Sequence, residues 1–175
     1  MILSLISYAF AATVAGVHFP ESTVIEEHQV VLNGAGLREK YWIDIYAAAL
    51  YLPQPSKDAV SIIGQDTPKR IHIHFIYHRV TKDQMIETLD ENFSRNPNIN
   101  ELTIASIKQT FDWMEDFKKG DEIIFDYAPE SGTTIYVKGK EKGTIKGKDF
   151  MEAIYTIYLG PKPASAALKE SMLRH

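Results

Sequence analysis

The chain has no cysteine among its 175 residues, which excludes disulfide bonds, zinc–thiolate sites and a cysteine nucleophile. It also lacks a basic excess, since 19 lysines and arginines stand against 23 aspartates and glutamates, a formal net charge of −4. Proteins that bind nucleic acid usually present a basic face, so we expect no nucleic-acid partner. The hydrophobic fraction of 45% is that of an ordinary globular domain with a sizeable core.

Charged side chains are also missing from residues 1–17, MILSLISYAFAATVAGV. An apolar stretch followed by small residues is typical of a signal peptide, and Ala9-Phe10-Ala11 or Thr13-Val14-Ala15 would suit a signal peptidase. We therefore predict a leader over residues 1–15, a single domain over residues 16–175, and a periplasmic or secreted protein with no stable membrane span after processing.

Two alternatives for this stretch stay open. No lysine or arginine precedes it, which departs from an ordinary leader. Its length reaches the lower limit for a bilayer-spanning helix, so residues 1–17 could instead be a membrane anchor. The third interpretation is a buried strand that belongs to the fold.

The pattern of apolar residues, turns and caps predicts an α+β protein. Strands are expected at His28–Leu32, Lys40–Leu52, Arg70–His78, Glu122–Ala128, Thr133–Lys138 and Thr144–Lys146. Helices are expected at Asp58–Ile63, from a Thr81 cap to Phe93, at Glu101–Phe117, from an Asp149 cap to Leu159, and from Ala164 onward. This order favours a mainly antiparallel sheet that is covered on one face by helices.

The strand Lys40–Leu52 is apolar on both faces, which predicts a central position covered on two sides. Its three consecutive alanines, Ala47–Ala49, leave room for a bulky group. Asn33-Gly34, with Gly36 close behind, predicts a turn before the strand. Gly34-Ala35-Gly36 is not a phosphate loop, because such a loop needs a helix to follow it and here a strand follows.

Two further groups of residues, a histidine pair and two acidic runs, could form metal or catalytic sites, but a structural role is favoured for both. His72 and His74 share one face of a strand and could chelate a metal if other ligands joined them, but alternation favours solvent-facing histidines. Acidic residues at 83–91 and 112–116 mostly fall away from the apolar stripes of their helices. We therefore predict no metal and no cofactor.

Arg38 follows the glycine turn at the mouth of an otherwise apolar strand. Its planar guanidinium suits a carboxylate or a developing oxyanion. The structural alternative is an ion pair with Glu39, Glu27 or Asp44. Most arginines of this kind are structural, so residue chemistry by itself favours the ion pair.

The pattern Val-x-Leu-x-Gly-x-Gly-x-Arg over residues 30–38, followed by a strand that ends in Leu50-Tyr51-Leu52, resembles the chalcone isomerase-like family. The segment 80–92, and the ending Tyr158-Leu159-Gly160 with Ser165 and a last helix, extend the resemblance to roughly residues 16–173. It implies an open-faced β-sandwich, in which a ligand cleft lies between a large antiparallel sheet and a layer of helices. The turn-to-strand spacing is shorter than in the plant enzymes, as in the bacterial, non-catalytic branch.

The resemblance implies catalytic candidates at Arg38 and Asn92, which match the family's arginine and asparagine. Three family hydroxyls are replaced or displaced, since Tyr46, Met85 and Ile157 stand at or near the positions of a threonine, a tyrosine and a second threonine. Ring closure depends on such positioning groups, so we do not expect chalcone isomerase activity.

The family also contains non-catalytic members that hold a fatty-acid carboxylate with the arginine and a tyrosine. From this resemblance we expect ligand-binding residues at Arg38, Tyr46, Asn92, Met85 and Ala48, and we place Tyr46 on the same strand as Arg38. The leading prediction is an exported protein that binds a fatty acid or a similar apolar carboxylate. The alternatives are an isomerase or lyase that acts on an enone, with Arg38 stabilising the enolate, and a partner-binding protein with a collapsed cleft.

Overall fold

The computed structural model describes residues 10–95 and 99–174, and nine strands and five helices lie in these ranges. The strands are β1 (Phe10–Val14), β2 (Val17–Pro20), β3 (Ser22–Ile25), β4 (His28–Lys40), β5 (Ile43–Leu52), β6 (Lys69–Phe75), β7 (Glu122–Ala128), β8 (Gly132–Val137) and β9 (Lys140–Ile145). The helices are α1 (Ala59–Gly64), α2 (Lys82–Ser94), α3 (Glu101–Trp113), α4 (Lys148–Leu159) and α5 (Ala166–Met172).

Strands β3 to β9 form one antiparallel sheet in sequence order, and β1 and β2 form a separate hairpin. The main core lies between this sheet and the helices, and α4 contributes most to it because eight of its 12 residues are buried. The fold is therefore α+β, with a large antiparallel sheet and a layer of helices. The predicted fold class is confirmed.

Both faces of β5 are covered. Tyr46, Ala48 and Leu50 pack in the core beneath the helices, whereas Ala47 and Tyr51 pack in a second cluster with Phe19 of β2. Every residue from 46 to 52 is buried. The prediction of a central strand covered on two sides is confirmed.

The turn predicted at Asn33-Gly34 is wrong, because both residues lie inside the long strand β4. The chain reverses later, at Tyr41–Trp42, so β5 begins at Ile43. The glycines are required by packing rather than by a turn, since α5 lies directly on β4. A Cβ built on Gly34 would lie 2.3 Å from the backbone oxygen of Ser171.

Asn33 also stabilises the contact between β4 and α5. Its side-chain amide donates hydrogen bonds to the backbone oxygens of Ser56 and Met172, and its Oδ1 accepts one from the backbone amide of Ser56. Asn33 is buried, so these bonds satisfy a polar group that would otherwise be costly. The Asn-Gly pair therefore joins β4 to the C-terminal helix.

The Thr81 capping box is confirmed: Thr81 Oγ1 accepts from the amide of Gln84, whose side chain accepts from the amide of Thr81. Two predicted ends of the longer helices are wrong. Helix α3 ends at Trp113 instead of Phe117. Asp149 lies inside the first turn of α4, where its carboxylate accepts from the side chain of Asn100, and it is not the cap.

The predicted leader overlaps the described structure at its end. Residues 1–9 lie outside the described residues, whereas Phe10–Val14 forms β1 and pairs with β2. Cleavage after residue 11 would leave most of β1, and cleavage after residue 15 would remove it. The leader and its cleavage site stay predictions. None of the helices in the described ranges is long and apolar enough to cross a membrane.

Lys69 is a fully buried cation at the start of β6. Its ammonium donates to the backbone oxygens of Ile62 and Gln65 at the end of α1, and it lies 5.6 Å from the centre of the Tyr155 ring. Burial, assisted by the charge of Lys148, lowers the pKa of Lys69 to about 8. The unfolded chain therefore binds one more proton than the folded chain between about pH 8 and the ordinary lysine pKa of 10.5.

We expect the free energy of unfolding to rise by about 2 kcal/mol between pH 8 and pH 10 in urea titrations. Above about pH 10 it should fall again, because burial raises the pKa of Tyr46, Tyr51 and Tyr155 while the unfolded tyrosines ionise. The free energy of unfolding of a Lys69→Met variant should not rise between pH 8 and pH 10, but it should still fall above about pH 10. A wild-type profile that is flat from pH 8 to pH 10 would contradict the prediction.

Candidate functional site

A cavity of about 210 Å³ opens between the β4–β5 hairpin and the first half of α2. Its lining comes from β4, β5, β6, the segment that follows β6, and α2. The lining residues are Arg38, Lys40, Ile45, Tyr46, Phe75, Tyr77, Arg79, Val80, Gln84, Met85, Glu87 and Thr88. The cavity therefore brings together three of the predicted ligand-binding residues, Arg38, Tyr46 and Met85.

Arg38 lies on β4, half-buried, at the wall of this cavity. Its Nη1 donates a hydrogen bond to the backbone oxygen of Glu39 at 2.8 Å. Among the described residues no carboxylate lies within 4.0 Å of the guanidinium, so the ion pairs with Glu39, Glu27 or Asp44 are not formed there. The remaining N–H donors of Arg38 are available to a ligand.

Tyr46 lies on β5 and is the direct cross-strand neighbour of Arg38. The placement of both residues on one strand is therefore wrong, because the chain reverses between them. Tyr46 is only 8% exposed, and its ring meets Phe75 edge-on with centroids 5.8 Å apart. Burial raises the pKa of Tyr46 to about 12, although the charge of Arg38 opposes this, so the hydroxyl stays protonated and can donate to an anion at neutral pH.

A β-bulge shapes the wall beside these two residues. Arg38 pairs with Tyr46, and the next residue, Glu39, pairs with Asp44, so Ile45 has no partner on β4. The backbone oxygen of Ile45 instead accepts hydrogen bonds from the amides of Ile76 and Tyr77. Such bulges bend a strand and redirect side chains, often next to a functional site. Here the bulge draws the segment after β6 toward the cavity.

Apolar side chains form the inner wall. Phe75 stacks on Phe117 with ring centroids 4.5 Å apart, and Met85 of α2 is 5% exposed. Ile45 and Val80 complete this wall. An apolar cavity with a few polar groups at one end is the usual form of a site for a small apolar ligand.

Positive charge predominates at the polar end. Arg38, Lys40 and Arg79 all line the cavity, against the single carboxylate of Glu87. Arg79 is already paired with Asp116 at 3.2 Å, and both side chains are exposed. The arrangement favours an anionic group on the ligand, with Arg38 as its partly buried contact.

Asn92 and Ala48 are not among the residues that line the cavity. Ala48 is fully buried in the core, where its strand neighbours are Gly36 and Ile73. Asn92 lies on the buried face of α2, and its amide donates to the backbone oxygen of Thr88 at 2.7 Å. Its Oδ1 has no hydrogen-bond partner in the described part of the chain.

Sequence reasoning did not single out Lys40, Tyr77 or Arg79 as site residues. Lys40 ends β4, and Tyr77 and Arg79 follow β6, so all three lie where strands end at the same edge of the sheet. A search for basic and hydroxyl-bearing residues at strand ends would have found them. Their convergence depends on the pairing of β5 with both β4 and β6.

His72 and His74 are placed differently from the prediction of solvent-facing histidines. Both contact Oε1 of Glu122, at 3.2 Å and 3.0 Å, and their side chains are 17% and 26% exposed. The ring of Phe19 meets His72 edge-on at 5.6 Å, because the β1–β2 hairpin covers this face of the sheet. Within the described ranges no group of three or more His, Asp or Glu side chains could hold a metal ion.

Comparison with known families identifies the family of the chain. The sequence matches the chalcone isomerase-like family over residues 11–174. The chain belongs to the chalcone isomerase-like family. The resemblance drawn from residues 30–52 is thereby confirmed. No curated protein matches the chain in sequence.

A solved structure supports the same fold for this chalcone isomerase-like chain. The crystal structure of a fatty-acid-binding protein from Arabidopsis thaliana superposes with a TM-score of 0.71. The match covers 90% of this chain and 92% of the Arabidopsis chain, at 17% sequence identity. At this identity the likeness establishes a common fold, and the function has to be argued from the cavity.

Proposed function

We propose that this protein binds a fatty acid or a similar apolar carboxylate without transforming it, and that Arg38 and Tyr46 hold the carboxylate. The observation that carries the proposal is the meeting of these two side chains at the polar end of a cavity whose inner wall is apolar. A guanidinium without a carboxylate partner among the described residues and a protonated phenol are both donors. A carboxylate is the acceptor that satisfies both.

The size of the cavity limits the ligand. Its volume of about 210 Å³ is below the roughly 300–1,000 Å³ of ordinary small-molecule sites. We therefore expect short and medium-chain acids to be enclosed and longer tails to extend through the mouth. The Arabidopsis protein of the same fold is described as a fatty-acid-binding protein, which supports this class of ligand.

The enone isomerase or lyase alternative is less well supported. It would use Arg38 with Asn92 or Tyr46 to position the substrate, and Asn92 is not among the cavity-lining residues. Tyr46 has its pKa raised to about 12, so it suits hydrogen-bond donation better than proton removal. The proposal also includes export, for which the apolar residues 1–15 are the support.

Displacement of a dansylated undecanoic acid from the purified protein tests the function. Octanoate, laurate and palmitate should displace the probe, whereas the alcohols of equal length should do so at least tenfold less well, because they carry no negative charge for Arg38. Native mass spectrometry should show one acid per chain. A protein that stays empty with all three acids, or that turns over an enone such as chalcone, would argue against the proposal.

A further inference from the structure

The turn between β4 and β5 carries two aromatic residues in an unfavourable backbone conformation. Tyr41 and Trp42 have φ of 52° and 62°, and Lys40 pairs with Ile43 on either side of them. Two-residue hairpin turns with positive φ at both positions are normally Asn-Gly or Asp-Gly, because a bulky side chain is disfavoured there. Folding alone would not select Tyr-Trp at this position.

The same residues are among the most exposed large apolar side chains in the described structure. Tyr41 is 79% exposed, Trp42 is 93% exposed, and the adjoining Ile43 is 43% exposed. We call Tyr41–Ile43 the hairpin tip. Backbone strain and apolar exposure coincide here, and neither stabilises the fold. This combination indicates contact with something outside the chain.

Next to the hairpin tip, residues of opposite charge lie on opposite faces of the β4–β5 hairpin. Lys40 lies beside the tip, with its Nζ 6.0 Å from the centre of the Tyr41 ring, and it lines the cavity together with Arg38 and Arg79. Glu39 lies on the other face of β4, because successive residues of a strand alternate between its faces, and Asp44 is its cross-strand neighbour. The hairpin is therefore cationic on the cavity side and acidic on the opposite side.

The area of the hairpin tip argues against a protein partner. An aromatic side chain buries about 150–250 Å², so the three side chains together offer roughly 600 Å² at most. A stable protein interface needs about 800 Å² from each partner. A narrow apolar tip fits a lipid surface instead, since tryptophan and tyrosine favour the headgroup region and a lysine beside them can reach lipid phosphates.

We propose that the hairpin tip inserts into the headgroup region of a lipid bilayer that contains anionic lipids. Insertion covers Tyr41, Trp42 and Ile43 and brings Lys40 to the lipid phosphates. Since Lys40 and Ile45 line the cavity, insertion also places the mouth of the Arg38 cavity at the membrane surface. Docking does not depend on the proposed ligand, whereas exchange of a fatty acid with the bilayer rests on the proposed function.

Co-sedimentation with vesicles of phosphatidylcholine and phosphatidylglycerol tests the docking. The wild-type protein should pellet with the vesicles, and added salt should weaken this binding. In a Trp113→Phe background Trp42 is the sole tryptophan, and its fluorescence should shift to the blue on binding. The variant Tyr41→Asn/Trp42→Gly has the residues that this turn prefers, so it should fold at least as stably and bind vesicles at least tenfold more weakly.

Matched controls replace exposed apolar residues away from the hairpin. Val60→Asn and Leu102→Gln remove side chains that are 81% and 82% exposed, and both variants should bind vesicles as the wild type does. Tyr41 and Trp42 do not line the cavity, so the double variant should still bind a dansylated acid in the absence of vesicles. Loss of docking and loss of ligand binding are therefore separate results.

Three results would overturn the proposal. The wild type could fail to pellet with vesicles, or the Tyr41→Asn/Trp42→Gly variant could pellet equally well. The third result is a dimer of the wild type that the Tyr41→Asn/Trp42→Gly variant does not form, without vesicle binding by either protein. Analytical ultracentrifugation detects this dimer and would assign the hairpin tip to a contact between two copies.

Discussion

Replacing Arg38 with glutamine should weaken the binding of a fatty-acid carboxylate by roughly 10- to 100-fold. Hydrogen bonds to a charged group contribute about 1.5–3 kcal/mol, and about 1.4 kcal/mol corresponds to a tenfold change in affinity. Glutamine keeps a polar side chain but removes the charge and the two-pronged donor geometry. The dissociation constant should be measured by isothermal titration calorimetry with laurate.

The fold should tolerate this substitution. Arg38 donates its hydrogen bond to the exposed backbone oxygen of Glu39, where water can take the place of the guanidinium. The free energy of unfolding should therefore fall by less than about 1 kcal/mol. Arg38→Lys keeps the charge without the planar fork and should bind with intermediate affinity. Urea titration of both variants separates the loss of binding from a loss of stability.

A matched control at the rim of the cavity separates the contribution of Arg38 from that of the overall charge. Arg79 lines the same cavity but is already paired with Asp116 in an exposed ion pair. Arg79→Gln should therefore weaken laurate binding by no more than about threefold, in line with the small contribution of surface ion pairs. Equal losses for Arg38→Gln and Arg79→Gln would mean that the cavity attracts anions by its overall charge, and Arg38 would not be the anchor.

Replacing Gly34 with alanine should destabilise the protein by about 3 kcal/mol, from overpacking together with the loss of a buried hydrogen bond. The new Cβ would lie 2.3 Å from the backbone oxygen of Ser171 and 2.7 Å from that of Met172. These are main-chain atoms, so α5 has to move away from β4. That movement also lengthens the 2.8 Å hydrogen bond from Asn33 to Met172.

Gly64 at the end of α1 provides the matched control. A Cβ built there meets no atom within 4 Å, so Gly64→Ala should be neutral or stabilising by up to about 1 kcal/mol. Equilibrium urea denaturation of both variants measures the difference. The explanation of the glycine motif by helix packing would fail if Gly34→Ala were as stable as the wild type, or if Gly64→Ala lost as much.

The elements that sequence reasoning placed correctly are those with local signals. The capping box of Thr81 and Gln84 fixes the start of α2 within four consecutive residues. The alternation of apolar residues in β6 buries Ile71, Ile73 and Phe75 on one face. Each of these patterns is complete within a short stretch of chain, so no distant contact is needed to interpret it.

The turn at Asn33-Gly34 shows where local reasoning fails. Asn-Gly is a strong turn signal, yet here both residues lie in the middle of β4. The turn preference is outweighed by contacts with α5, which lies more than 130 residues later in the chain. This helix packs on the glycines of β4 and accepts a hydrogen bond from Asn33. The true turn carries Tyr41 and Trp42, which local propensity disfavours at positive φ.

By itself the sequence determined the fold class, the family motif around Arg38 and the apolar character of β5, because these depend on periodicity and short motifs. The tertiary structure decided which side chains meet. It placed Tyr46 opposite Arg38 across two strands, added Lys40 and Arg79 to their cavity, and left Asn92 and Ala48 out of its lining. A site is made of distances between residues that are remote in sequence, and those distances are set by strand register and helix packing.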